Sequence, residues 1–283
     1  MTMANVIPLA GLGSRFDKEG YKLPKPLIPV SGEPMILKAV RQLPKSDKWI
    51  FIVRKEHIDN YKIDELIKSE IPDAIVISVE KNTEGQACTC LLAEPYLDLE
   101  EELFIAPCDS TFLLDKEKFN NLKASEEIGA VFFTLTQRKI LEINPNAWGW
   151  YNLEEGNETI KDISIKIPVS ATPFNDHAVT ATFYFKKARD FIDSTKLMIK
   201  ENYRINNEFY VDALPKFLEK LGKKSVICDV DLYVSWNKPE DLHDFERIEF
   251  IVKNKLNPES LNEEEKRLLP LWKKYLENEK NRV

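Results

Sequence analysis

The chain has 283 residues, 43% of them hydrophobic, enough for one large α/β domain or a domain with an appendage around a sizeable core. Its 40 lysines and arginines against 47 acids leave a net charge of −7, which excludes the basic footprint of a nucleic-acid binder. The two signs are interspersed, as on solvated helix faces, and no apolar run is long enough to span a membrane.

Taken in chain order, the sequence opens on an apolar strand, Val6 to Ala10, with no basic leader before it, a beginning expected of a cytoplasmic protein. That strand runs into Gly11, Gly13 and Arg15, and ten residues beyond the arginine stands Lys25, between Pro24 and Pro26. Glycines let backbone approach a ligand closely and present a row of N–H donors, and the two cations supply fixed positive charge to phosphates. A dinucleotide fingerprint needs glycine where Phe16 stands, and no Gly-Lys-Ser/Thr closes a P-loop.

A helix over Met35–Leu43, entered at Pro34, comes next, then a strand over Trp49–Val53, a helix over Asp59–Ser69 and a strand over Ala74–Val79. A helix over Gln86–Tyr96 and a strand over Leu103–Pro107 complete an alternation that predicts a mostly parallel sheet flanked by helices. Ligands of such sheets bind beyond the carboxyl ends of the strands, where the loops at Gly11 and Asp109 fall. Antiparallel additions follow: a strand over Ala130–Gln137, a hairpin of Trp148–Leu153 with Thr159–Ile165, and a β-rich run over Val179–Phe185. A helix over Phe209–Leu221, a strand over Ser225–Val230 and a helix starting at Pro239 lead to a C-terminal helical extension, interrupted by Pro270. There Leu268, Trp272 and Leu276 form one stripe, whose expected role is packing on its own core, with a homodimer contact as the alternative. Cys88, Cys90, Cys108 and Cys228 read as reduced core thiols, since the Cys88–Cys90 spacing suits neither zinc nor a redox pair.

The opening motif, Gly11, Gly13, Arg15, Lys25, Pro26, continued by Gly32, Pro34 and Met35, resembles the signature of the nucleotide-sugar pyrophosphorylase superfamily of nucleotidyltransferases, which have a glycosyltransferase-A-like fold. The resemblance covers roughly residues 1–245, expected to form the nucleotidyltransferase domain, with 246–283 as the extension. The stretches Gly20–Pro26 and Asn207–Val211 look like the branch linked to capsule and surface-polysaccharide precursors, some of whose members activate non-sugar phosphates with CTP.

Carried onto this sequence, the resemblance implies nucleotide binding by Leu9, Ala10, Gly11 and Gly13, with Arg15 and Lys25 on the phosphates. The loop Asn82–Ala87 is similar to the family segment that holds nucleobase and ribose, which places Gly85 and Gln86 there; the alternative is an ordinary helix start capped by Thr83. Asp109 matches the family's Mg2+ ligand, a role that suits a lone carboxylate past an apolar strand; the alternative is a cap for a helix from Leu113 onward. Lys166 matches the lysine on the acceptor's phosphate, although Ile165 stands where relatives carry glutamate. Aligned on Pro239-Glu240-Asp241-Leu242, the family's second metal-binding aspartate falls on Ser235, which leaves Asp229 and Asp231 as the nearest substitutes.

The implied reaction is transfer of a nucleoside monophosphate from a nucleoside triphosphate to a phosphorylated small acceptor, a sugar phosphate being favoured, with release of pyrophosphate. A phosphate monoester is already mostly dianionic at neutral pH, so no general base is required of His57, His177 or His243. Three alternatives remain at this stage: a CTP-dependent cytidylyltransferase for a non-sugar phosphate or phosphonate, a catalytically silent nucleotide-binding regulator, and a Rossmann oxidoreductase, against which Phe16 argues.

Overall fold

The computed structural model describes residues 2–11, 13–254, 256 and 258–280. The chain separates into two units, one of Met1–Gly11, Lys45–Ala106 and Asp115–Asp229, the other of Leu12–Pro44, Pro107–Leu114 and Val230–Val283.

The first unit is built on a nine-stranded sheet. Met3–Leu9 is its centre, parallel to Lys48–Arg54 on one side and to Glu102–Ile105 on the other, and Ile75–Val79 extends it in parallel beyond Lys48–Arg54. These strands are rich in Val, Ile and Phe, and Val6, Ile50, Ile52 and Ile105 are fully buried, as expected of a sheet covered on both faces. His177–Phe185 joins antiparallel to Glu102–Ile105 and also pairs Ile128–Leu135, whose other edge carries Lys224–Asp229 in parallel. The expected hairpin is present as Gly149–Leu153 with Ile160–Ile165. Its core joins Phe132, Phe183, Phe185 and Phe191 to the aliphatic strands.

Three predicted helices differ, each for a local reason. Asp59–Ser69 is two helices, Lys55–Tyr61 and Ile63–Glu70, broken at Lys62, whose φ of 54° is left-handed. Gln86–Tyr96 stops at Leu91 and resumes as a single 3-10 turn around Pro95. Phe209 is not helical: its N–H donates to Glu84 O (2.9 Å) and its carbonyl accepts from Ala87 N (3.0 Å), so the α-helix begins only at Pro215. The helix Ala188–Lys200 was not anticipated.

The second unit holds the short helix Ser14–Lys18, a hairpin of Pro29–Val30 with Glu33–Pro34, and the helix Met35–Arg41. Ser31 and Gly32 both have positive φ (52° and 87°), the requirement of a two-residue type I′ turn. An antiparallel ribbon pairs Ser110–Leu113 with Leu232–Ser235, and the helices Pro239–Lys253 and Glu263–Lys280 complete the unit. Trp272 and Leu276 are buried with Phe245 and Trp236, and Leu268 packs against the same cluster, so the predicted stripe serves this unit's own core. Pro270 does not interrupt the helix; it is exposed, where water can take the carbonyl freed one turn back. Among the described residues no helix is long and apolar enough to cross a membrane. Cys90 and Cys228 are buried, Cys88 and Cys108 partly so, and all four are thiols.

Candidate functional site

In the second unit the ribbon does the positioning. Ser110 and Ser235 are paired across it, and Trp236 N donates to Asp109 O (2.7 Å), so Asp109 and Asn237 leave its end side by side. The Lys25 ammonium lies between them: it forms an ion pair with the Asp109 carboxylate and donates to Asn237 Oδ1 (3.1 Å) and Asn237 O (3.2 Å). Arg15 Nη1 donates to the same Asn237 Oδ1 at 2.7 Å. Of the three sequence-predicted residues, Arg15 and Lys25 thus share one amide oxygen, and Asp109 joins them through its ion pair with Lys25.

Local structure explains why these residues meet. Gly13 has φ 67°, and a Cβ there would lie 3.0 Å from Lys25 Cβ, so the bend needs glycine both for its conformation and for its space. Phe16 is buried in this unit's core, and the Lys25 ammonium stands 5.8 Å from its ring centre. Pro24 and Pro26 flank Lys25 at the start of a 3-10 turn closed by Leu27 N to Pro24 O (2.8 Å). Burial pushes the Cys108 thiol up to about 12, with the Asp109 charge adding to it, so this cysteine is no nucleophile. The capping alternative for Asp109 fails: Ser110–Leu113 is a strand, and the helix Lys116–Ala124 is capped by Asp115, which accepts from Glu117 N (2.9 Å) and Lys118 N (3.1 Å).

In the first unit the opening strand ends in buried Leu9, part-buried Ala10 and exposed Gly11, where a Cβ would meet no atom within 4 Å. Arg54, at the end of the adjacent strand, donates to Ala10 O (3.5 Å) and Asn82 Oδ1 (2.6 Å), which ties the loop at Gly11 to the loop before Gly85. Gly85 has φ 132°, and a Cβ on it would come within 2.5 Å of the Phe209 backbone. Thr83 is not the helix cap: its hydroxyl donates to Gly85 O (3.0 Å) and meets Thr89 Oγ1 (2.5 Å), while Gln86 begins the helix. Lys166 is exposed with φ 63°, and its N–H donates to Trp148 O (2.8 Å).

Asp229, one substitute considered for the second metal ligand, is engaged: His177 Nδ1 lies at 2.9 Å and Thr134 Oγ1 donates at 2.7 Å. Burial raises its carboxyl, but these contacts outweigh it and hold the pKa below the ordinary range. Asp231 N is bonded to Leu113 O (2.9 Å) within the second unit. In that unit too, Ser235 Oγ donates to Asp241 (3.4 Å), whose pKa burial raises.

Sequence reasoning missed Asn237 and Arg54. Leu232-Tyr233-Val234-Ser235 alternates buried with part-buried positions, but over four residues that is too short a signal to reveal the ribbon, and so Asn237, from the sequence.

No family model matches the chain, and no curated protein does. Among solved structures, a nucleoside-diphosphate-sugar pyrophosphorylase from Vibrio cholerae RC9 is similar, with 18% identity, coverage of 86% of this chain and 99% of that one, and a TM-score of 0.68. An inositol-1-phosphate CTP transferase from T. maritima is 19% identical over 84% of this chain and 90% of its own, TM-score 0.64. An apo UDP-glucose pyrophosphorylase is 15% identical over 90% of this chain and all of its own (100%), TM-score 0.65. The chain therefore has the fold of the nucleotide-sugar pyrophosphorylases and related nucleotidyltransferases, a central, mostly parallel sheet flanked by helices.

Proposed function

We propose that the chain is a nucleotidyltransferase, moving a nucleoside monophosphate from a nucleoside triphosphate to a phosphorylated small acceptor with release of pyrophosphate. The observation that supports it most is that Arg15 and Lys25 share the Asn237 amide oxygen while Lys25 pairs with Asp109, two cations and one acid at a glycine-bent loop. Solved structures of the same fold bear names of pyrophosphorylases and of a CTP transferase. We take 1–245 as the catalytic domain and 246–283 as its extension, and place the protein with enzymes of surface-polysaccharide precursors on the motifs at Gly20 and Asn207.

Mg2+ fits the donor set. Among the described residues no three His, Cys, Asp or Glu cluster into a cage, whereas Mg2+ takes one or two carboxylates and otherwise phosphate oxygens and water. Asp109 would hold it. Bound there, the ion would neutralise charge on the phosphates.

The chain's own groups do the rest. Asn237 holds Arg15 and Lys25 with a neutral oxygen, which leaves the guanidinium's charge uncompensated for a polyphosphate. Lys25 exchanges Asp109 for phosphate oxygens and stabilises the departing pyrophosphate with Arg15. Gly85 and Gln86 take the base and ribose, and Lys166 takes the acceptor's phosphate. No histidine is needed as a base: His57 is buried and its pKa is lowered by that burial, and His177 is tied to Asp229.

A thermal-shift screen of ATP, CTP, GTP, UTP and dTTP with Mg2+ tests the reading. One triphosphate at a hundred times its Kd should stabilise the protein by about 2.7 kcal/mol. The same nucleotide should then support pyrophosphate release with a phosphorylated acceptor. Binding without turnover would make the chain a silent regulator.

A further inference from the structure

We propose that Arg204 is a positioning residue for the nucleoside end of the triphosphate, a bracket that holds the loop 82–86 in the shape that receives base and ribose. The proposal rests on the reading of Gly85 and Gln86 as the residues that take those groups.

The loop takes its place in the first unit from Phe209. Phe209 N donates to Glu84 O (2.9 Å) and Ala87 N to Phe209 O (3.0 Å). Between them Gly85, at φ 132°, lies so close that a Cβ would come within 2.5 Å of the Phe209 backbone. Phe209 itself belongs to neither helix nor strand. The chain reaches it by leaving the helix Ala188–Lys200 and doubling back. Asn202, at φ 52°, ends that helix in a Schellman arrangement, with Tyr203 N donating to Met198 O (3.1 Å) and Asn202 N to Ile199 O (2.9 Å). Ile205 and Glu208 then exchange both backbone hydrogen bonds (3.0 Å each) across Asn206 and Asn207, whose φ of 50° and 66° make a two-residue turn. Left-handed asparagines cost free energy, and so short a hairpin has little stability of its own.

Arg204 ties this reversal to the loop. Its Nε donates to Asn202 Oδ1 (2.7 Å) and its Nη1 to Asn207 O (3.2 Å), while Nη2 forms an ion pair with the Glu84 carboxylate. The guanidinium carbon stands 4.1 Å from the centre of the buried Phe209 ring. One planar group therefore touches the helix exit, the turn, the returning residue and the loop, a task for a rigid fork of donors rather than a point charge. An exposed ion pair alone contributes little, and Glu84 is exposed; the other three contacts turn the pair into a bracket. On the far side of the glycine, Gly85 O accepts from Thr83 Oγ1 (3.0 Å), Thr89 Oγ1 (3.1 Å) and Thr89 N (3.0 Å), so the loop is gripped on both flanks.

Charge alone predicts a different behaviour. Glu84 is an anion next to the place given to a polyanion, so removing its charge should tighten triphosphate binding. A bracket requires the opposite sign, because the loop loses its tie to Arg204.

The test is a double-substitution cycle on the full chain: Glu84→Gln, Arg204→Gln and both together. ATP, CTP, GTP, UTP and dTTP are titrated calorimetrically into wild type with Mg2+, and the tightest is carried into the variants. Arg204→Gln should raise its Kd by about fivefold or more and Glu84→Gln by about threefold, as for loss of charge-assisted hydrogen bonds at part-exposed positions. The double variant should bind within about twofold of Arg204→Gln, since the two residues act through one set of contacts. Inorganic tripolyphosphate offers the loop no base or ribose, so its Kd should stay within about twofold of wild type in all three. A Glu84→Gln protein that binds the nucleotide as tightly as wild type, or more tightly, overturns the proposal. So do losses that multiply in the double variant, or a tripolyphosphate Kd that rises in step with the nucleotide's. Should Arg204→Gln fail to fold, Glu84→Gln, a change at an exposed residue, decides alone. Wild type that binds none of the five nucleotides overturns the underlying reading as well.

Discussion

At the scale of single residues, charge that is left uncompensated is what separates the candidate site from ordinary surface. Many exposed lysines and arginines here sit in ion pairs, such as Lys187 and Arg189 with Glu100. Arg15 instead rests on a neutral amide, Asn237. Asn237→Ala should weaken triphosphate binding several-fold, about 1 kcal/mol, by loosening both cations. Asn237→Asp should weaken it further, because the new carboxylate would neutralise them. Titration calorimetry checks the order, and an aspartate variant that binds as well as wild type would contradict it. Asp212 gives a pH signature that needs no substrate. Its carboxyl is raised from the ordinary 3.8 to about 6 by burial, so the folded state holds the proton more tightly than the unfolded one. The penalty is therefore present above pH 6 and vanishes towards pH 4. Asp212→Asn, uncharged throughout, should melt higher than wild type at pH 8 and at the same temperature near pH 4. Melting curves that coincide at every pH would show that the carboxylate is not buried at a cost.

At the scale of elements, the two loop glycines make opposite predictions. Gly85→Ala would drive a Cβ into the Phe209 backbone at 2.5 Å from a φ of 132°, so it should cost about 3 kcal/mol and lower Tm clearly. Gly11 meets nothing within 4 Å, so Gly11→Ala should change stability by no more than about 0.5 kcal/mol while impairing nucleotide binding. Denaturant melts and nucleotide titrations of the two variants separate the roles; a Gly11→Ala protein with normal affinity would remove that loop from the ligand. The same contrast marks how far the sequence could be read. Long periodic strands such as Lys48–Arg54 and Ile128–Leu135 were legible because burial on one side or both leaves a pattern in residue type. The pairing of Phe209 with Glu84 and Ala87 was not, because Asn207–Val211 has helix-compatible residues and only a distant backbone partner makes it extended. The ribbon of Ser110–Leu113 was hidden for a similar reason: four residues give too short an alternation, and the partner lies more than a hundred positions on. In the site, Arg15, Lys25 and Asp109 were legible from motif, whereas Asn237 emerges only from geometry.

At the scale of the whole molecule, a net charge of −7 repels a nucleoside triphosphate at long range, so binding has to be won by local, directed cations. We locate them at Arg15 and Lys25 and assign Asp109 to Mg2+. The most direct measurement is pyrophosphate release by wild type and by Asp109→Asn, Lys25→Ala and Arg15→Ala, with Tm of each unliganded protein recorded alongside. Each substitution should lower turnover, Asp109→Asn by at least about a hundredfold at limiting Mg2+, as for loss of one preorganised electrostatic element. Tm should stay within a few degrees throughout. Near-normal release by Asp109→Asn at limiting Mg2+, or unfolding of the unliganded Arg15→Ala or Lys25→Ala protein, would contradict the account.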